Sequence, residues 1–125
     1  MAAVGTGALI VKESDRFHAE GMSSAAFRHG PFEMLGPDTF VLVLAGDKRT
    51  RELNRRLQQD VLDRGGSSKI LGPDSAVPAF RIPDRASLCP ILEILPIQMI
   101  TLAIAAQMGR EPGRFELASK VTTTE

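Results

Sequence analysis

The stretch Phe27-Arg28-His29-Gly30-Pro31 sets a histidine and an arginine directly ahead of a Gly-Pro turn, with Phe32, Met34 and Leu35 behind it. Imidazole is the side chain that exchanges a proton near neutral pH. The turn therefore either caps an ordinary helix–strand corner or delivers His29 into a site. Two more ionisable groups stand at unusual places: Glu13, at the end of an apolar N-terminal segment, and Lys120, in a run of Ser and Thr near the C-terminus. Taken singly, each has a structural account. Glu13 suits a solvated helix position, His29 suits a helix C-terminus, where the dipole favours positive charge, and Lys120 suits a tail. Other chemistries find no support. His18, His29 and the single Cys89 are too few and too badly spaced for a metal. No Gly-x-Ser-x-Gly elbow offers a nucleophile. The glycines of "GTG" (5–7) and "LAGDK" (44–48) lack the spacing of a phosphate loop. Neither a metal nor a cofactor is expected.

Something must position such residues, and the composition bounds what that is. A chain of 125 residues, 43% apolar and 24% charged, is one domain or part of one with a modest core. Fifteen basic side chains balance fifteen acidic ones, and Tyr and Trp are absent. That leaves no basic, aromatic surface of the kind that reads nucleic acid. Cys89, between Leu88 and Pro90, reads as a buried small hydrophobe in a reducing compartment. The N-terminal "MAAVGTGALIVKESD" has no basic leader, so a secretory signal is not expected. The apolar run Leu88–Met108 approaches the length of a membrane span. It carries Glu93, Gln98 and Gln107 and two prolines, which predicts a buried helix of a soluble domain instead.

Along the chain, Ala2 to Ser14 suits a helix, and a short second helix around Glu20–Phe27 should stop at "HGP". "TFVLVLAG" (39–46) is a continuous apolar, β-rich run closed by glycine, the pattern of a parallel strand covered on both faces. In "KRTRELNRRLQQDVLDRGG", Leu53, Leu57 and Val61 recur at four-residue spacing, and Gly65 and Gly66 end an amphipathic helix. "SKILGP" (68–73) and "PAFRIP" (78–83) read as short strands ahead of the last helix. The small, polar C-terminal tail is by default mobile. Alternating elements with strands too apolar to face water predict an α/β layered sheet.

Several of these residues fall into register with a known family. "ALIVKES…FHAEGMSSAAFRHGPFEML" resembles the sugar isomerase (SIS) domain, and most closely the second such domain of the glutamine–fructose-6-phosphate aminotransferases. Lys12-Glu13, His18-Ala19-Glu20 and Arg28-His29-Gly30-Pro31 match the family's Lys-Glu, His-Ala-Glu and Lys-His-Gly-Pro in order and spacing. "LPIQMITLAIAAQMG" (95–109) looks like its last helix, and "ELASKVTTTE" looks like its Leu-Ala-Lys-Ser-Val-Thr-x-Glu ending. The departures are Ile10 in place of a lysine and Ser119, which reads as one residue inserted ahead of Lys120.

The resemblance implies a three-layer αβα parallel sheet of flavodoxin type, incomplete at the N-terminus. Residues 1–125 would be the C-terminal part of a SIS domain, with residues 110–125 as its tail. It also implies a function: the isomerase portion of an aminotransferase-like enzyme that interconverts ketose and aldose phosphates in amino sugar metabolism. Glu13, His29 and Lys120 would be catalytic, with Ser119 beside the substrate. Glu13 falls where the family moves a proton between the first two sugar carbons. His29 falls on its ring-opening histidine, which serves the neighbouring subunit. Lys120 falls on the lysine that meets the open-chain sugar. The expected partners are a sugar phosphate (fructose 6-phosphate or a related amino sugar phosphate) and a second copy of the chain, in the cytoplasm, with no membrane or nucleic acid. The alternatives are a sugar-phosphate-sensing module or a phosphosugar deaminase or deglycase. His29 is expected at the rim of the sheet's ligand end, facing outward. The family's strand before the first helix and its first SIS domain are expected to be missing, leaving apolar side chains uncovered.

Overall fold

The computed structural model of the chain describes residues 1–84, 89–115 and 117. Strands β1 (Phe40–Leu44) and β2 (Ser67–Leu71) lie side by side in parallel, from Phe40 opposite Ser67 to Leu44 opposite Leu71. Helix α3 (Arg51–Asp63) makes the crossover between them and packs on both. A parallel pair needs such a crossover, because no tight turn returns the chain to the same end. The core sits at this junction, where Val43, Leu57, Val61 and Leu71 are buried. Gly65, at φ 79°, ends α3 by taking a backbone conformation that side chains oppose. The mixed α/β class with a parallel sheet is as the sequence predicts.

Three details differ. Leu53 is exposed, and Asn54 turns inward in its place. The buried and half-buried positions Asn54, Leu57, Gln58 and Val61 recur at spacings of three and four and centre the face on the sheet; Leu53, about 100° round the helix from Asn54, falls at its edge. "PAFRIP" is not a strand. Pro78 opens a 3₁₀ turn, Pro78–Phe80, and one parallel bridge joins Arg81 to Gly72. Two prolines in six residues remove ladder donors and fix φ, so pairing cannot extend. Finally, β1 is not covered on both faces, since Phe40 is exposed and Val41 and Leu42 are half-buried.

Helices α1 (Ala2–Asp15) and α4 (Cys89–Gln107) pack against each other. Gly7 admits Ile97: a Cβ on Gly7 would lie 2.9 Å from its Cδ1. Further along, Arg110 donates to the carbonyl of Asp15, so the two helices run in the same direction. Glu93, Ile97, Thr101 and Ala105 form the buried side of α4. Its opposite side is not buried. Ile91, Leu95, Met99 and Leu102 fall within one arc, and Ile91 and Met99 are 60% and 64% exposed. The expected all-round burial of this helix is thus corrected: α1 covers only one stripe of it. By length and composition, Pro90–Gln107 could cross a membrane. The Cys89 side chain lies outside what is described.

The link from α1 to β1 carries the motif residues. Arg16 closes α1 in the left-handed conformation, at φ 56° and ψ 29°, and its N–H donates to the Lys12 carbonyl. The chain then doubles back along α1, and Gly21 presses on the backbone of Val4 and Gly5. Helix α2 (Ser24–Arg28) starts later than the sequence suggests, because Ser23 caps it by accepting from Ala26 N–H at 3.1 Å. A 3₁₀ turn, Pro31–Met34, follows and leads into β1.

Candidate functional site

The carboxyl ends of β1 and β2, where open α/β sheets bind ligands, border a shallow crevice that opens to solvent. Ala45, Gly46, Leu71, Gly72, Arg51, Asp84 and Glu93 line it. Arg51, at the start of α3, is largely buried and pairs with Asp84 at 2.9 Å. The hydrogen bond from Arg51 holds the Asp84 carboxyl below the usual carboxylate range. Asp47 satisfies the beginning of α3, accepting at Oδ1 from the N–H groups of Arg49 (3.0 Å) and Thr50 (3.1 Å). The Thr50 N–H and hydroxyl, and after them Arg49, lower the Asp47 pKa. Sequence reading missed both carboxylates. An Asp three residues before Thr50 at a strand–helix junction was the available signal.

The motif residues do not gather at this crevice. Asn54 bonds to the carbonyls of Leu44 and Ala45 (3.2 and 3.0 Å), so the start of α3 lies at the crevice end of the sheet. Ser24 donates to Asn54 Oδ1 at 2.6 Å, while Arg28 pairs with Asp60 at 2.6 Å. Helix α2 therefore runs beside α3, away from the crevice. Asp60 lies roughly 9 Å further along α3 than Asn54, at 1.5 Å per residue. His29 follows Arg28 and is exposed, its N–H donating to the Ala26 carbonyl at 3.2 Å. The expected position at the rim of the ligand end is corrected: α2 carries the histidine to the other end, although it does face outward. The ring of Phe32 secures the turn, edge-to-face with Phe27 at 5.6 Å and under the Arg64 guanidinium at 4.8 Å.

Glu13 follows the same logic. Gly7 meets Ile94 and Ile97 of α4, and Asp15 meets Arg110 past the end of that helix. Because Glu93 of α4 lines the crevice and Gly7 lies level with Ile94 and Ile97, Glu13, six residues past Gly7, sits roughly 13 Å down the helix pair from Glu93, at 1.5 Å per residue. Glu13 is exposed. Two residues on, Asp15 is wholly buried, and neither carboxyl oxygen has a hydrogen-bond partner. Burial pushes its pKa up, and Arg110 pulls it partly back. His18 lies 3.5 Å from Glu20, both exposed. Ser119 and Lys120 lie outside the described residues. Among those described, no group of three His, Cys, Asp or Glu is placed to hold a metal.

Solved structures share this arrangement. The glucosamine-6-phosphate deaminase of Thermotoga maritima superposes with a TM-score of 0.75 at 19% identity, over 89% of this chain and 33% of that one. A protein described as a phosphosugar isomerase, from Silicibacter pomeroyi, gives 0.72 at 23% identity, over 88% and 35%. The fold is accordingly of the SIS type. No family model matches the chain. Its homologues are glutamine–fructose-6-phosphate aminotransferases (isomerizing). The Acidithiobacillus ferridurans protein is 30% identical over 127 residues, and the Mesorhizobium japonicum protein 32% over 129. Each match takes in 95% of this chain, which spans about 21% of the length of these relatives.

Proposed function

We propose that this chain is the isomerase portion of a glutamine–fructose-6-phosphate aminotransferase-like enzyme, working on a sugar phosphate as a cytoplasmic homodimer. The supporting observation is the agreement of two independent signs. Aminotransferase sequences match 95% of the chain, and the two motif residues described, Glu13 and His29, both stand exposed at the end remote from the chain's own crevice. Residues so placed suit a sugar presented by a neighbouring unit.

In this reading His29 opens the ring of the partner's substrate by moving a proton between the ring oxygen and the anomeric hydroxyl. Glu13, as carboxylate, takes a proton from one of the first two carbons and returns it to the other. The Lys120 ammonium, next to Ser119, stabilises the negative charge that develops on the carbonyl oxygen meanwhile. Each role needs the residue type found at that position.

The test is solvent exchange into the sugar. The intact protein incubated with fructose 6-phosphate in D₂O should place deuterium at the carbon next to the carbonyl. Glu13→Gln should slow this by about a hundredfold or more, the scale of a lost general base. Undiminished exchange in Glu13→Gln would remove the carboxylate from the reaction. The structural match to a deaminase favours a second reading, release of ammonia from an amino sugar phosphate. Ammonia formed from glucosamine 6-phosphate without an amide donor would select it. Binding of the sugar with neither reaction would leave a sugar-phosphate-sensing module.

A further inference from the structure

We propose that Asn54 and Asp60, two residues of α3, are positioning residues for His29. The proposal rests on the catalytic reading of that histidine. Helix α2 has five residues, too few to hold its own shape in water. Beside the Ser23 cap and the Phe27–Phe32 contact, two contacts with α3, one at each end, hold it. At the first end, the Asn54 amide donates to the carbonyls of Leu44 and Ala45 while its oxygen accepts from Ser24. One side chain thus ties the end of β1, the body of α3 and the start of α2 together. At the second end, Asp60 holds Arg28, the residue immediately before His29, at 2.6 Å, and the same guanidinium lies 6.0 Å from the Phe32 ring beyond the turn. The SIS motif has lysine where this chain has Arg28. The planar guanidinium, with five donors in a fixed fork, suits meeting a carboxylate and an aromatic ring together.

His29 makes no contact with Asn54 or Asp60 in this arrangement, so neither is a catalytic residue. They set where the imidazole stands relative to whatever site it enters. A shift of about 1 Å in a proton-transfer group is enough to cost turnover severely.

The test uses the intact protein with Asn54→Leu and Asp60→Asn combined, each replacement close to the original in size. Amide hydrogen exchange at Phe27 and His29 should quicken by about tenfold or more, while Val61 and Leu71, in the core, keep their protection. Turnover number should fall about tenfold with KM within about twofold, because the loss lies in orientation and not in binding. In a His29→Ala background the same pair should cost nothing further, and Asp60→Glu alone should retain both the slow exchange and the activity. Unchanged exchange at Phe27 and His29, or losses that multiply independently of His29, would overturn the proposal. If the pair unfolds the core, Asp60→Asn alone should give the same changes in direction, smaller in size, since a half-exposed ion pair does not hold the fold. Should His29→Ala leave turnover intact, the catalytic reading of the histidine fails, and hydrogen exchange alone then decides whether α3 fixes the turn.

Discussion

Gly21 and Gly5 make a paired prediction, because they face each other across a backbone contact and should respond to the same change in opposite directions. A Cβ built on Gly21 lies 2.5 Å from the Val4 carbonyl oxygen, 2.8 Å from its carbon and 3.1 Å from the Cα of Gly5. All three are backbone atoms of a regular helix, so none can swing aside. Either the returning segment lifts off α1 or the helix bends. Overpacking of this kind costs about 1–3 kcal/mol, and rigid neighbours argue for about 2. Near the midpoint of a domain this size, 1 kcal/mol corresponds to about 4 °C, so Gly21→Ala should melt about 8 °C lower. Gly5 lies inside α1, and a Cβ there meets nothing within 4 Å. Alanine costs the helix less entropy than glycine by about 0.5–1 kcal/mol, so Gly5→Ala should melt about 3 °C higher. Thermal unfolding followed by circular dichroism reads both shifts. If Gly21→Ala melts with the parent protein, or Gly5→Ala melts below it, the segment does not return along α1 as described.

Asp15 gives a pH signature. Its folded pKa is raised by burial, so the folded chain binds the proton more tightly than the unfolded chain. Stability must then decline as pH rises from the ordinary carboxylate range through the raised value. Asp15→Asn removes that decline, and urea midpoints taken between about pH 3 and pH 7 should show its advantage over the parent growing with pH. An advantage that shrinks instead would mean that the attraction of Arg110 outweighs burial. For the tail, Lys120→Ala in the intact enzyme should lower turnover by about a hundredfold or more, the scale of a preorganised cation. Its melting temperature should barely move. Turnover that survives intact would remove the third residue from the proposed mechanism.

The parts of the fold legible in the sequence are those that one local rule decides. β1 is an unbroken apolar run, and α3 an amphipathic repeat closed by two glycines. In each case propensity, pattern and stop signal agree. Where two rules compete, the sequence does not rank them. "PAFRIP" has strand residues between prolines, and the prolines prevail. Leu53 belongs to the apolar stripe by spacing, but the sheet meets the face one step further round, centred on Asn54, Gln58 and Val61, and the neighbours prevail. In α4 the apolar pattern runs all the way round the helix, which marks burial in a finished core. Within this chain α1 covers only one stripe, because burial depends on neighbours that no property of the helix itself reports.

The candidate site divides along the same line. Glu13 and His29 could be found by their order along the chain, but their distance from the crevice could not, because it follows from how the elements run. In a βαβ unit the strand brings the chain to the carboxyl end of the sheet and the helix must carry it back. Any residue at the end of such a helix is therefore delivered to the opposite end. α1 takes Glu13 there beside α4, and α2 takes His29 there beside α3. The crevice keeps Arg51, Asp84 and Glu93, none of which the motif contains. For the motif residues to act on one sugar phosphate, a second unit must bring it to the helix ends, with its own crevice facing them. The ends of α1 and α2 would then complete a site whose phosphate-holding part belongs to another sheet. Under that requirement the outward direction of His29 would decide whether it meets the sugar, and the α3 residues proposed to hold it would act only through that direction.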